Sequence, residues 1–187
     1  MYNRKDFYYN KAKKEGFKAR AAYKLMQIQQ KFKIIKKTDS VLDIACAPGS
    51  WLQALKKLTN GNIVGIDLEK IKPIPGIKII QGDITNEKDI KKINQTFNVV
   101  ISDIAPKTSG IIKIDQEISY ELSLEALNLA KKVLKKNGNF VTKNFQGNDT
   151  NKLKADMKKC FQTVKTYTPE ATRQGSKEIY IIGLKYK

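Results

Sequence analysis

Four residues stand out as able to carry proton chemistry on a polar substrate, Lys24, Asp103, Lys143 and Glu178, although Lys24, which shares a helix face with Arg20, reads by default as a solvated cation. Lys143 closes the run Asn-Phe-Val-Thr-Lys, and a lysine at the end of a core strand needs a partner, because an unpaired buried ammonium is costly. Asp103 follows the apolar run 97–102 and Glu178 opens the run 178–184. Three more acids, Asp43, Asp67 and Asp83, lie in or just after apolar runs. The chain has no histidine, which excludes Ser-His-Asp and Cys-His nucleophile systems, histidine metal sites and histidine general bases. Proton transfer in this chain falls to lysine or carboxylate.

Residues 41–51 read Val-Leu-Asp-Ile-Ala-Cys-Ala-Pro-Gly-Ser-Trp. An apolar strand runs into a turn of small residues and then into a helical pattern, as in a nucleotide-binding βα unit. Small residues such as Gly49 let backbone approach a ligand closely. Asp67 ends the next apolar run, 24 residues beyond Asp43. An acid placed there can hydrogen-bond a ribose diol. Asp83 sits just past a third strand end, where ligands of open α/β sheets collect; a turn or helix-cap role is the plain alternative.

The elements that must position these residues alternate. Helices are expected over 19–32, 50–58, 86–94, 115–136 and 150–160, with Asn137-Gly138 ending the fourth. Strands are expected over 41–45, 63–67, 77–80, 97–102, 139–143, 161–167 and 178–184. This is one α/β domain over residues 1–187, a mostly parallel seven-stranded sheet with helices on both faces. Residues 1–18 form a basic, aromatic N-terminal arm. Its cations and rings suit single-stranded RNA, or the rings pack on the domain.

The net charge of +18 favours a polyanionic partner, although the lysine excess can also reflect codon composition. Only Arg4, Arg20 and Arg173 are arginines, and a guanidinium makes bidentate phosphate contacts that lysine does not. No apolar run suffices to span a bilayer, and the start lacks a signal-peptide core. Cys46 and Cys160 have neither zinc spacing nor a disulfide framework, and read as small residues of a reducing compartment, cytoplasmic, nuclear or mitochondrial. No metal site is expected.

The segments Ala-Ala-Tyr-Lys-Leu, Ala-Pro-Gly-Ser-Trp, Ile-Ser-Asp-Ile-Ala-Pro, Phe-Val-Thr-Lys-Asn-Phe-Gln-Gly and Ser-Lys-Glu-Ile-Tyr-Ile together resemble the FtsJ/RrmJ-type ribose 2′-O-methyltransferases, in the same order along nearly the whole chain. The resemblance implies a Rossmann-like methyltransferase fold, S-adenosylmethionine as cofactor, and a Lys-Asp-Lys-Glu tetrad matched by Lys24, Asp103, Lys143 and Glu178. It places Gly49 and Trp51 at the methionine part of the cofactor, Asp67 near its ribose, Asp83 beside its adenine and Asp103 near its sulfonium. One departure is Ala45, where methyltransferases often carry glycine.

The reaction so implied is in-line methyl transfer to a ribose 2′-oxygen, a weak nucleophile that must be positioned and deprotonated. Lys143 is the candidate base. It must first be neutral, which burial and a nearby Lys24 favour and Asp103 and Glu178 oppose. Lys143 orienting the hydroxyl while the proton leaves late is the alternative. Lys24 and Glu178 hold the ribose and Lys143 in register. The implied partner is ribosomal RNA or a ribosomal subunit, with a uridine of large-subunit RNA as target and a monomeric enzyme, RNA contacts falling to Arg4, Arg20 and Arg173. Two other readings are a tRNA 2′-O-methyltransferase and a non-catalytic RNA-binding module. A dinucleotide oxidoreductase is disfavoured, since no Gly-x-Gly-x-x-Gly follows the first strand.

Overall fold

In the computed structural model, which describes residues 4–187 with side chains from residue 7 onward, thirteen elements follow one another. They are α1 (Arg4–Lys14), α2 (Ala21–Phe32), β1 (Val41–Ile44), α3 (Ser50–Leu58), β2 (Ile63–Asp67), β3 (Lys78–Gln81), α4 (Glu87–Lys91), β4 (Phe97–Ser102), α5 (Ile112–Val133), β5 (Leu134–Phe145), α6 (Thr150–Cys160), β6 (Phe161–Tyr167) and β7 (Glu178–Tyr186). Among the described residues the strands form a single seven-stranded sheet in the order β3-β2-β1-β4-β5-β7-β6. The first five strands pair in parallel, and β7 runs antiparallel to both β5 and β6.

Successive strand side chains point to opposite faces, and here both faces are apolar. Val41, Val99, Val141 and Tyr180 join a core with Leu25 and Ile28 of α2 and Leu52 and Leu55 of α3. Their strand neighbours Leu42, Val100, Phe140 and Ile181 join a second core with Leu127 and Ala130 of α5 and Leu153 and Met157 of α6. Burial on both faces explains why the strands read as continuous apolar runs rather than alternating ones. The strand order reverses between β1 and β4, and in open sheets ligands bind at the carboxyl edge beside such a reversal.

Three expectations are corrected, and residues 4–14 of the N-terminal arm form α1. Tyr8 and Phe17 pack beside Tyr23, with ring centroids 5.5 and 5.7 Å apart, whereas Tyr9 is exposed. Helix α5 begins earlier than expected because Ile112 and Ile114 face solvent and give no core signal there. It also ends earlier, since Leu134 is drawn into the sheet opposite Phe97. Asn137, at φ 64°, then turns within the irregular start of β5 instead of stopping the helix. Helix α4 spans only Glu87–Lys91, with the Asn86 side chain accepting from the Lys88 amide as its N-cap. Among the described residues no helix is long and apolar enough to cross a membrane.

Candidate active site

The antiparallel pairing of β5 with β7 sets Lys143 opposite Tyr180 and Phe145 opposite Glu178. Residues directly opposite share a face, and residues two apart on one strand do too. Lys143, Tyr180 and Glu178 therefore project from the face that α2 covers, where Lys24 comes down from the helix. Asp103 follows β4, the neighbour of β5 on its other side.

The four charged residues form two buried pairs. Lys24 Nζ lies 2.6 Å from Glu178 Oε1, and both side chains are about nine-tenths buried. Lys143, 7% exposed, donates from Nζ to the Asp103 backbone carbonyl at 2.6 Å and lies 3.1 Å from Asp103 Oδ1. Tyr180 joins the pairs. Its hydroxyl donates to Asp103 Oδ1 at 2.6 Å, and its ring centroid lies 5.9 Å from Lys24 Nζ. Burial first, then the charges of Asp103 and Glu178, push the Tyr180 phenol well above its ordinary range, so it stays a proton donor. The fold thus brings together all four residues expected to act as a set. The reading of residue types passed over Tyr180 because a tyrosine in an apolar strand looks like core. Its place two residues after Glu178, on the same strand face, was the signal available.

The turn after β1 forms the opposite wall. Ala45 has φ 58°, a left-handed conformation that glycine adopts freely and alanine at a cost of about 1 kcal/mol. The backbone glycine would favour is thus kept without glycine. Gly49 has φ 103°, and a Cβ there would meet Ile74 Cδ1 and Lys18 Nζ, each at 3.2 Å. Asp67 holds the turn: Oδ2 accepts from the Ala47 amide at 2.8 Å and Oδ1 from the Glu69 amide at 2.7 Å. A carboxylate has about four acceptor positions, so Asp67 can still take a diol. Asp83 accepts at Oδ1 from the amide and hydroxyl of Thr85, both 2.8 Å, which makes it in part the turn residue of the plainer reading. Trp51 does not line the crevice. It is 2% exposed, lies 5.9 Å from the Tyr180 ring, and donates from Nε1 to the Ala21 carbonyl at 2.7 Å.

Asp43, beneath this turn, was not singled out as a site residue. It is fully buried, and neither carboxylate oxygen has a hydrogen-bond partner among the described residues. Burial first, then Asp103 and Asp67, push its pKa well above the carboxylate range. A buried acid without a donor is costly unless a cation or donor joins it. The crevice therefore carries a strand-end acid that can take a diol, and buried beneath it lie a glycine closely approached by Ile74 and Lys18 and an orphaned carboxylate that suits an ammonium. That donor set fits S-adenosylmethionine, which carries a ribose diol and an amino-acid ammonium. Among the cationic candidates, Arg20 at the start of α2 is half-buried and feels both Arg173 and Glu178. Arg173 is exposed in the loop before β7. Arg4 opens α1, and its side chain lies outside those described.

Comparison with known proteins shows the family and the fold. The family described as FtsJ-like methyltransferase matches residues 17–186. The chain is 48% identical over 187 residues to the ribosomal RNA large subunit methyltransferase E of Methanothrix thermoacetophila, covering 98% of this chain and 73% of that protein. It is 47% identical to the protein of the same name from Methanoregula boonei, covering 98% of this chain and 96% of that one. A crystal structure of a Plasmodium falciparum protein assigned as a ribosomal RNA methyltransferase superposes with a TM-score of 0.81 at 31% identity, covering 91% of this chain and 98% of that one. A Streptococcus mutans protein assigned as a methyltransferase and solved with S-adenosylhomocysteine shares the fold, with a TM-score of 0.56 at 13% identity over 89% of this chain and 95% of that one.

Proposed function

The chain belongs to the FtsJ-like methyltransferase family, and from that premise we propose that it methylates a ribose 2′-oxygen of large-subunit ribosomal RNA, with Lys24, Asp103, Lys143 and Glu178 as its catalytic set. The observation that carries this reading is the double pair Lys143–Asp103 and Lys24–Glu178, bridged by Tyr180 across the crevice from the turn after β1. The names of the relatives favour ribosomal RNA over tRNA as substrate. One sheet organises the described elements, which supports a single domain.

S-adenosylmethionine, when bound, supplies an electrophilic methyl group on a sulfonium. Asp43, Gly49 and Asp67 are the residues proposed to hold it, with Asp83 and Asp103 at the rim and Trp51 supporting the turn from beneath. The acceptor hydroxyl needs placement and loss of its proton. Lys143, once it has given up its own proton, takes that proton at Nζ as the new O–C bond forms and the methyl group leaves the sulfonium sulfur. The ammonium that results is anchored by the Asp103 carbonyl and carboxylate, the two acceptors already in place. Tyr180 fixes the Asp103 carboxylate. Lys24 and Glu178 seat the ribose, and Arg4, Arg20 and Arg173 neutralise phosphates beside it.

Incubation with cofactor and either large-subunit ribosomal RNA or total tRNA, followed by nuclease digestion and mass mapping, tests the proposal. The expected product is one 2′-O-methylated nucleoside in the ribosomal RNA, a uridine. Methylation confined to tRNA, a methyl group on a base, or no transfer to either RNA overturns it.

A further inference from the structure

Helix α2 carries more polar residues than the catalytic set uses. Arg20, Lys24, Gln27 and Lys31 follow one another at four, three and four residues, so they form a single stripe along the helix. Lys24 belongs to the catalytic set and Arg20 lies beside it. Lys31 lies about 10 Å further along the axis, at 1.5 Å per residue. At that end the stripe becomes the floor of a groove lined by Tyr8, Gln27, Gln30, Lys31, Tyr167 and Glu170, with a volume of about 600 Å³. This is within the usual size range of small-ligand sites.

The groove is built, and its wall is tied to the catalytic set. Gln27 Nε2 donates to the Tyr8 hydroxyl at 2.9 Å, and Gln27 Oε1 accepts from the Ala171 amide at 3.0 Å. Both ends of that amide are engaged, so the floor is rigid. The next residue, Thr172, donates from its hydroxyl to Glu178 Oε1 at 3.4 Å, which ties the groove wall to the catalytic set. The Tyr8 hydroxyl donates to Glu170 Oε2 at 3.4 Å. Lys31 Nζ sits 4.4 Å above the Tyr167 ring. Gln30, Lys31 and Glu170 remain exposed, offering an amide, a cation and an acceptor. Purely electrostatic attraction of RNA has no use for a carboxylate in such a place, whereas in reading a base edge an acid can accept from base N–H groups.

We propose that this groove is a second nucleotide subsite, which seats a nucleotide flanking the methylated one on the same RNA strand, its phosphate on Lys31 and its base edge against Gln30 and Glu170. Because Glu170 only accepts, the seated base presents N–H donors, which favours a base with an amino group. The subsite rests on the ribosomal RNA reading above.

The test uses a stem-loop transcript centred on the methylated nucleotide and a series of it with one abasic residue at each flanking position. For the unaltered enzyme, one abasic position raises KM for RNA about tenfold with kcat unchanged, the size expected when one base contact is lost. The double variant Gln30→Ala, Glu170→Ala shows the same raised KM on intact transcript and no further rise on that abasic one. Lys31→Ala lowers the slope of log affinity against log salt by about one. Affinity for S-adenosylhomocysteine, measured by calorimetry, stays constant across the variants and reports an intact fold. Penalties from the double variant and the abasic residue that add in full overturn the subsite, as does a series in which no flanking base matters. Failure of the unaltered enzyme to methylate either the intact transcript or assembled large ribosomal subunits would instead overturn the ribosomal RNA reading, a distinguishable result.

Discussion

The two walls of the crevice hold their charged groups in opposite ways. On the wall built by β1, β2 and β3, the carboxylates of Asp67 and Asp83 are held by backbone amides of nearby turns. On the wall built by β4, β5, β7 and α2, charged side chains hold one another across the chain: Lys24 holds Glu178, Lys143 holds Asp103, and Tyr180 reaches Asp103 from 77 residues away. The first arrangement needs only the local turn to form. The second exists only when the whole sheet and α2 are in place. Amide-held acids keep their donors when a neighbouring side chain changes, whereas removal of one member of a buried pair strands the other.

Lys143→Ala is the largest expected break between the walls. Methyl transfer falls at least about 100-fold, the lower range for a lost general base, while affinity for S-adenosylhomocysteine is retained, because Tyr180 still donates to Asp103 and the amide-held acids are untouched. Single-turnover assays with calorimetry separate the two effects. A variant that transfers methyl groups at the normal rate removes Lys143 from the reaction. One that loses cofactor affinity in proportion to rate shows that the walls are not independent.

The pair Lys24–Glu178 sharpens the contrast through stability. Each side chain is about nine-tenths buried, so Lys24→Met and Glu178→Gln should each cost about 3 kcal/mol in urea unfolding by leaving an uncompensated charge, and the double variant clearly less than their sum. Asp67→Asn, whose donors are backbone amides, should cost about 1 kcal/mol. Two pair variants whose costs simply add would show that Lys24 and Glu178 do not depend on one another.

The same division explains what could be read before the structure. Local patterns were legible: α6, β2, β4 and β6 lie where apolar runs and breakers put them. The motifs also named as a set the four charged residues that the fold brings together. Their geometry was not legible, because the Lys143–Tyr180 register depends on an antiparallel β7 lying beside β5, a pairing no local pattern specifies. The start of α5 escaped because Ile112 and Ile114 face solvent, so hydrophobic periodicity carried no information there. Asp43 escaped for the converse reason. An acid in an apolar run reads as an exception to the strand, and only its complete burial without a donor among the described residues makes it a candidate for the site.

Asp43 also gives the smallest of the expected effects, and the one that tests the amide-held wall from within. Its carboxyl is pushed well above the ordinary range by burial, and further by Asp103 and Asp67, so the folded chain keeps the Asp43 proton at pH values where the unfolded chain has lost it. Stability falls with pH wherever the folded state binds more protons. Asp43 therefore costs nothing below the unfolded carboxylate pKa of about 3.9, and the cost grows as pH rises through and above it. Asp43→Asn removes that proton from the balance, so urea-unfolding free energy without cofactor should decline less with pH for the variant above about pH 4. Stabilisation by added S-adenosylmethionine should shrink in the variant, because the neutral amide gives the cofactor ammonium no counter-charge. Parallel pH profiles would show that Asp43 carries no buried proton. An unchanged cofactor stabilisation would show that the ammonium lies elsewhere, leaving Asp67 and Gly49 as the groups of this wall that hold the cofactor.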